Sequence, residues 1–291
     1  MKKRGAFLVI ILTAISIFTG CKEKKVDTNG INRIVSLGPS ATEILFAIGA
    51  DKQLVACTDF CDYPAEAKTK ASVGGFAANS ISLESIISYE PDLVYLFSGM
   101  HDSLIKPLQD MGISVYVSKA ASVDDVKKEI IEIGTITGHS AEAEDVVKEM
   151  NLLLAEARNK SAEAKKNGSS PLIYWQVWDD PLMTAGKNSF INDIITLAGG
   201  INIFGEENSD YPIISDEAVI AAKPQFIFIS KASDNYSVTN NKIMFYAMKK
   251  DSGASVHYVN DDKFSRPGPR CAEAVQDLTK ILYGLPENNA N

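Results

Sequence analysis

Two acidic residues recur in the same local setting. Glu84 lies in Ile81-Ser82-Leu83-Glu84, which is followed by Pro91 and the apolar run Leu93-Val94-Tyr95-Leu96. Glu217 lies in Ile214-Ser215-Asp216-Glu217, followed by Pro224 and the run Phe226-Ile227-Phe228-Ile229. Ser, Glu and Pro keep the same internal spacing, the second copy displaced by 133 residues. A carboxylate in the first turn of a helix complements the helix dipole by about 0.3–1 kcal/mol. That accounts for each Glu singly but not for the recurrence. Two matched surface carboxylates predict a docking device. Nucleophile and cofactor chemistry is not signalled: the chain carries no Gly-x-Ser-x-Gly, P-loop, Gly-x-Gly-x-x-Gly or His-rich metal triad. No catalytic residue and no cofactor are therefore expected.

Each copy of the phrase predicts a short helix opened by a Ser N-cap, a stop before Pro, and then a buried strand. Two such units imply two similar α/β lobes, and 291 residues leave room for them. The rest of the chain alternates accordingly. Residues 33–37 form an expected strand, turned by Gly38-Pro39, and Ser40-x-x-Glu43 is a capping box for a helix running to Gly49. Strands are expected near 53–57, 92–97 and 113–117, with helices near 82–88, 102–111 and 123–137. Strands separated by helices in this way pair in parallel. Residues 140–166 hold no Gly or Pro, and Val146, Val147, Met150, Leu153 and Leu154 fall at helical spacing. They predict one helix of ~27 residues, roughly 40 Å long, ended by Asn167-Gly168-Ser169-Ser170-Pro171. Strands near 172–177, 226–230 and 256–259 and a helix near 269–283 follow. The order is lobe, stiff interlobe helix, lobe.

The N-terminus is set apart. Lys2, Lys3 and Arg4 precede an apolar stretch of 13 residues, Ala6 to Phe18, too short to span a bilayer but suited to a secretory signal. Phe18-Thr19-Gly20-Cys21 resembles the lipobox of bacterial lipoproteins, which implies cleavage before Cys21 and its lipidation. An ordinary cleaved signal with an incidental Cys is the competing reading. Phe18 departs from the usual Leu. Lys22 to Gly30 reads as a polar tether. Removing residues 1–20 moves the net charge from −8 to −11, because three cations leave and no acid does. So acidic a body argues against nucleic acid and against electrostatic adhesion to anionic lipid. The membrane is reached through the lipid only. Cys57, Cys61 and Cys271 remain; export permits a disulfide among them, but spacing does not say which pair. With three scattered histidines they give no zinc-site spacing, so no metal ligand is expected.

Taken in order, Arg33-Ile-Val-Ser-Leu-Gly-Pro-Ser-Ala-Thr-Glu43, Asp62-Tyr63-Pro64, Val73-Gly74, Glu84 with Pro91-Asp-Leu-Val94, Thr184-Ala-Gly186, Gly199-Gly200-Ile-Asn202-Ile-Phe204 and Arg266-Pro-Gly-Pro-Arg270 carry a resemblance. Over nearly all the mature chain it resembles the lipid-anchored or periplasmic substrate-binding proteins of ABC importers for vitamin B12, haem and iron-siderophores, the helical-backbone class III, with the pattern of B12-binding members. The resemblance implies two Rossmann-like lobes with mainly parallel sheets, joined by the single long helix, and a ligand cleft between them. The implied division is signal peptide 1–20, tether 21–31, first lobe 32–139, interlobe helix 140–167, second lobe 168–285 and tail 286–291. It further implies that Glu84 and Glu217 each pair with arginines of a membrane permease.

The open α/β rule places ligands at the same strand ends. These carry Phe60, Tyr63, Phe76, Phe97, Trp178, Met183 and Tyr211, large faces suited to a wide, flat, amphipathic ligand; core packing is the competing reading for each. Asp262 and Arg266 sit where B12-binding relatives put polar ligand contacts. Arg266 could instead be a surface charge at a helix start. His101 opens a helix after a strand, either as a solvent-facing residue or as an axial haem ligand. Cys61 is expected as an inert or paired thiol rather than a metal ligand. The cations near the cleft are Arg266, Lys187 and Lys263, too few for an anionic ferric siderophore. The resulting expectation is an exported monomer, lipid-anchored to the cell or outer membrane and facing the periplasm or exterior. It would capture a corrinoid and deliver it to a permease, with haem or an iron-siderophore as alternative metal-chelate ligands. A surface adhesin-like lipoprotein and an exported enzyme are the competing classes.

Overall fold

Short apolar runs bounded by Gly and Pro become central strands of two sheets. The computed structural model describes residues 30–166, 168, 170–230 and 252–285. The expected signal segment, Cys21, most of the expected tether and the 286–291 tail lie outside the described residues. No described helix is long and apolar enough to cross a membrane.

The first sheet contains β1 (Ile34–Ser36), β2 (Leu54–Cys57), β3 (Ala71–Ser72), β4 (Leu93–Phe97) and β5 (Ser114–Ser118), all parallel in the order β3-β2-β1-β4-β5. Its helices are α1 (Pro39–Ala47), α2 (Leu83–Ser88), α3 (Asp102–Asp110) and α4 (Val123–Thr137). The long helix α5 (Ser140–Lys165) follows. The second sheet contains β6 (Leu172–Trp178), β7 (Met183–Thr184), β8 (Ile201–Asn202), β9 (Phe226–Ser230) and β10 (Ser255–Val259), in the order β10-β9-β6-β7, with β8 also on β6. Only β7 runs antiparallel among these pairings. The described helices of the second lobe are α6 (Phe190–Leu197), α7 (Asp216–Ala222), α8 (Asp261–Ser265) and α9 (Cys271–Tyr283).

The repeated phrase forms as expected, and further than expected. Ser82 Oγ accepts from Ser85 N–H at 3.1 Å and Ser215 Oγ from Ala218 N–H at 3.2 Å, so both short helices are side-chain capped. Glu90 and Lys223, each just before the proline, both take left-handed backbone, φ 46° and 51°. The residue after each proline then ties down the first strand of its lobe. Asp92 accepts from Arg33 N–H at 2.9 Å, and Gln225 accepts from Leu172 N–H at 2.9 Å. All three pairs keep the 133-residue offset, so the resemblance of the lobes extends to single hydrogen bonds.

Helix α5 is not an isolated strut. Gly138 (φ 80°) ends α4 and reverses the chain, and a Cβ on Gly134 would sit 2.4 Å from the Ala143 Cβ, so α4 and α5 cross at close range. Met150 and Ala157 of α5 share one contiguous buried cluster with Ile34, Leu45 and Ile133 before it and Ile173, Trp175 and Leu278 after it. The lobes are joined through packed core, which resists large rotations because a dense interior does not deform continuously.

The capping box at Ser40–Glu43 does not form. Helix α1 starts at Pro39 with Gly38 as its N-cap and no side-chain cap bond. Pro at the first position supplies the helical φ without needing a capped N–H, and Glu43 is drawn elsewhere, into contact with two arginines.

Candidate functional site

The strand order of the first sheet reverses between β1 and β4, and the carboxyl ends of these neighbouring strands form the crevice that an open parallel sheet offers to ligands. Gly38 follows β1 and Phe97 ends β4. A Cβ on Gly38 would lie 2.5 Å from the Phe97 ring and 3.2 Å from that of Phe76, so the absence of a side chain there lets both rings settle over the switch point. Phe76 lies 6.1 Å from Phe60, ring centre to ring centre. Phe60, Phe76 and Phe97 thus form one aromatic ledge, with Phe60 57% exposed.

His101 underlies this ledge and is fully buried, which corrects the solvent-facing reading. Its Nδ1 accepts from Phe97 N–H at 3.1 Å and its Nε2 meets Phe76 O at 2.8 Å. The neutral ring with the proton on Nε2 satisfies both, so neither nitrogen is left for an axial metal bond. Burial holds its pKa below the ordinary 6.5, despite the Phe76 carbonyl and Asp102, which favour the cation. A histidine with a depressed folded pKa contributes stability that is complete above pH 6.5 and is lost as pH falls from there through the folded value. Urea unfolding is therefore expected to show acid weakening over that window in the wild type, and less of it in His101→Gln.

The second lobe answers with its own ledge. Met183 pairs with Trp178 across β6 and β7, and bridges to Ile213 on the other side. Thr184 N–H donates to Pro212 O at 3.1 Å and Gly186 N–H to Asp210 O at 2.8 Å, which lays the segment carrying Tyr211 along β7. Trp178, Tyr211 and Ile213 are 53%, 41% and 67% exposed. Ile213 was missed by the sequence reading; an isoleucine in a Pro- and Asp-rich loop was its signal. Gly186 is required here, since a Cβ would lie 1.9 Å from Ser209 O. Gly186→Ala is expected to displace this segment at a cost of roughly 1–3 kcal/mol, read as a lower urea midpoint and weaker ligand quenching of Trp178.

The lobes are also bridged by charge. Arg270 Nε and Nη2 donate to Glu43 at 2.8 and 2.6 Å, a two-pronged contact. Arg266 Nη1 donates to Asp62 at 2.7 Å and lies 3.5 Å from Glu43, while its Nη2 meets Asp262 at 2.7 Å. The Arg270 guanidinium also lies 3.7 Å over the Tyr63 ring. Partial burial raises the Asp62 pKa, but the hydrogen bond and charge of Arg266 outweigh it and keep the carboxyl below its usual range. Burial opposes the Arg270 charge, and Glu43 more than restores it. Arg266 is neither a loose surface charge nor an open cation: three carboxylates engage it. Asp62 and Arg270 had no assigned role in the sequence reading and Glu43 only that of a helix cap, because no local pattern links residues over 200 positions apart.

Glu84 and Glu217 are both exposed, at the second position of α2 and α7. The Glu84 carboxyl is held below its usual pKa by backbone and Ser82 hydrogen bonds. Cys57, Cys61 and Cys271 are free and buried; the paired alternatives for Cys61 are not realised. Lys263 is committed to Glu273 and Asp277 at 3.0 and 2.7 Å, and Lys187 to Glu206 at 3.3 Å. Among the described residues no group of three or more His, Cys, Asp or Glu could hold a metal ion. The chain therefore offers an apolar ledge on each lobe and an internally neutralised ionic bridge between the lobes.

Comparison with known proteins accords with this architecture. The sequence pattern of the family described as periplasmic binding protein matches residues 34–249. The chain is similar to the vitamin B12-binding protein of Pectobacterium atrosepticum, 30% identical over 87% of this chain and 89% of that one. Its structure is similar to that of the periplasmic vitamin B12 binding protein BtuF of Vibrio cholerae, with TM-score 0.72, 27% identity, and coverage of 86% and 96%. The apo periplasmic haem-binding protein RhuT from Roseiflexus sp. RS-1 shares the fold, with TM-score 0.75, 24% identity, and coverage of 88% and 99%.

Proposed function

Since the chain belongs to the periplasmic binding protein family, we propose that it is the lipid-anchored substrate-binding component of an ABC importer and that it captures a corrinoid. Family membership sets it among binding components rather than enzymes. The observation that carries the ligand class is the apolar ledge on each lobe, Phe60-Phe76-Phe97 on one and Trp178-Met183-Tyr211 on the other, with Phe60, Trp178 and Tyr211 exposed and the nearby arginines already engaged by carboxylates. A broad, uncharged or zwitterionic macrocycle buries both faces with little loss of side-chain entropy. An anionic ferric siderophore would have to take Arg266 from its three carboxylates. Haem gains no axial bond from His101. The vitamin B12-binding relatives favour the same ligand.

On this reading residues 32–139 and 168–285 are the lobes, 140–167 the connecting helix, Cys21 the anchor, and Asp262 and Arg266 the polar rim of the cleft. The protein works as an exported monomer. Glu84 and Glu217 dock one on each half of the permease. Titration of the mature protein with cyanocobalamin, haemin and a ferric siderophore tests the ligand. Trp178 is exposed whereas Trp175 is buried against Phe228 at 4.9 Å, so quenching reports the cleft. Saturable quenching by cyanocobalamin, absent in Trp178→Leu, is expected; tighter binding of haemin or siderophore would replace the corrinoid reading.

A further inference from the structure

Two of the three rings in the first ledge are held by one residue. His101 N–H donates to Phe97 O at 3.0 Å, and His101 Nδ1 accepts from Phe97 N–H at 3.1 Å. Nε2 of the same ring meets Phe76 O at 2.8 Å, and among the described residues Phe76 makes no other hydrogen bond. The imidazole lies 6.1 Å from the Phe76 ring, edge-on, and 5.9 Å from the Phe97 ring. It thus ties the end of β4 to the loop that carries Phe76. Both partners are backbone groups, a fixed donor at Phe97 and a fixed acceptor at Phe76. The clamp therefore closes only on the neutral ring with its proton on Nε2. A proton added at Nδ1 sets two donors against each other at the 3.1 Å contact. It also leaves a charge in a fully buried place. Burial disfavours that cation, while the Phe76 carbonyl and Asp102 favour it. Asp102 opens α3 and accepts from Gly99 N–H at 2.9 Å. Residues 74–80 and 97–100 carry no titratable side chain, so of these segments only α3 sets a charge, Asp102, beside the ring.

We infer that His101 is the positioning residue of the first ledge, and that ligand capture weakens as its ring takes a proton. The neutral ring fixes Phe76 and Phe97 in one register beside Gly38. The cation must turn away from Phe97 N–H, which unties the Phe76 loop from β4 and parts the two rings. Buried as it is, His101 acts only through the rings it holds. The clamp is intact above pH 6.5 and is lost as pH falls from there through the folded value. The effect on capture rests on the binding role proposed above; the proton-dependent clamp does not.

The test titrates the mature chain, His101→Gln and Asp102→Asn with cyanocobalamin between about pH 7.5 and about pH 5, reading Trp178 quenching. Wild-type binding is expected to weaken roughly three- to tenfold over that range. Glutamine keeps a donor and an acceptor but does not titrate. His101→Gln is therefore expected to hold its affinity within about twofold across the same range. Asp102→Asn keeps an acceptor for Gly99 N–H but removes the charge that favours the cation, so its midpoint is expected at lower pH. Wild-type affinity that ignores pH, or an equal fall in His101→Gln, overturns the proposal. An Asp102→Asn midpoint that stays in place overturns it as well, whether or not His101→Gln folds. NMR shifts of the ligand-free wild type supply an independent reading. The Phe97 amide is expected to move with the His101 ring in one titration; an amide that stays still while the ring titrates overturns the clamp. Failure to bind cyanocobalamin at any pH overturns the corrinoid reading instead, and the clamp is then decided by these shifts.

Discussion

Glu84→Lys combined with Glu217→Lys is expected to abolish uptake in cells or reconstituted vesicles while leaving ligand affinity within about twofold. Each carboxylate stands at the second residue of a Ser-capped helix, exposed, and outside the aromatic ledges. If the proposed docking holds, reversal leaves the ledges untouched but sets like charges against the arginines proposed on the permease. Like-charge juxtaposition across an interface costs several kcal/mol, and each ~1.4 kcal/mol is tenfold in affinity. Two reversals together therefore remove docking at any plausible protein concentration. Single reversals are expected to retain partial uptake, since one lobe still holds. Normal transport by the double variant would falsify the docking role, and lost ligand binding would show that the charges act on the cleft instead.

The second large effect concerns stability. Glu43 has 2% side-chain exposure, and its partners Arg270 and Arg266 have 17% and 15%. Removing one member of a buried pair strands the others at a cost of about 3–5 kcal/mol. Glu43→Ala is thus expected to lower the unfolding free energy by about that much and to loosen lobe spacing. Spin-label or fluorophore distances between the lobes should broaden in the apo protein. Arg270→Met added to Glu43→Leu should recover much of the loss, because an apolar pair of similar volume removes the stranded charge. If Glu43→Ala melts like the wild type, the bridge is not what holds the lobes in register.

The short helices after Ser82 and Ser215 were legible because N-capping, the pre-proline stop and an apolar strand are all encoded within fifteen residues or so. Helix α5 was legible for the same reason: 26 residues without Gly or Pro. Two local signals misled. Ser40-x-x-Glu43 has the spacing of a capping box, but Pro39 starts the helix and Glu43 turns to arginines in the other lobe. His101 looked solvent-facing at a helix start, yet its ring is buried because two backbone groups, one from the Phe76 loop, accept and donate to it.

What the sequence alone determined is the pair of matched units, their order around one long helix, and the matched acids on each. These follow from short-range backbone chemistry, which acts identically in both copies. Only the tertiary structure decided which charges meet. Arg270 and Glu43 are 227 positions apart, and their contact depends on the angle at which two lobes pack through α4, α5 and α9. No local propensity encodes that angle. The same packing decides that Arg266 and Arg270 are already engaged by carboxylates.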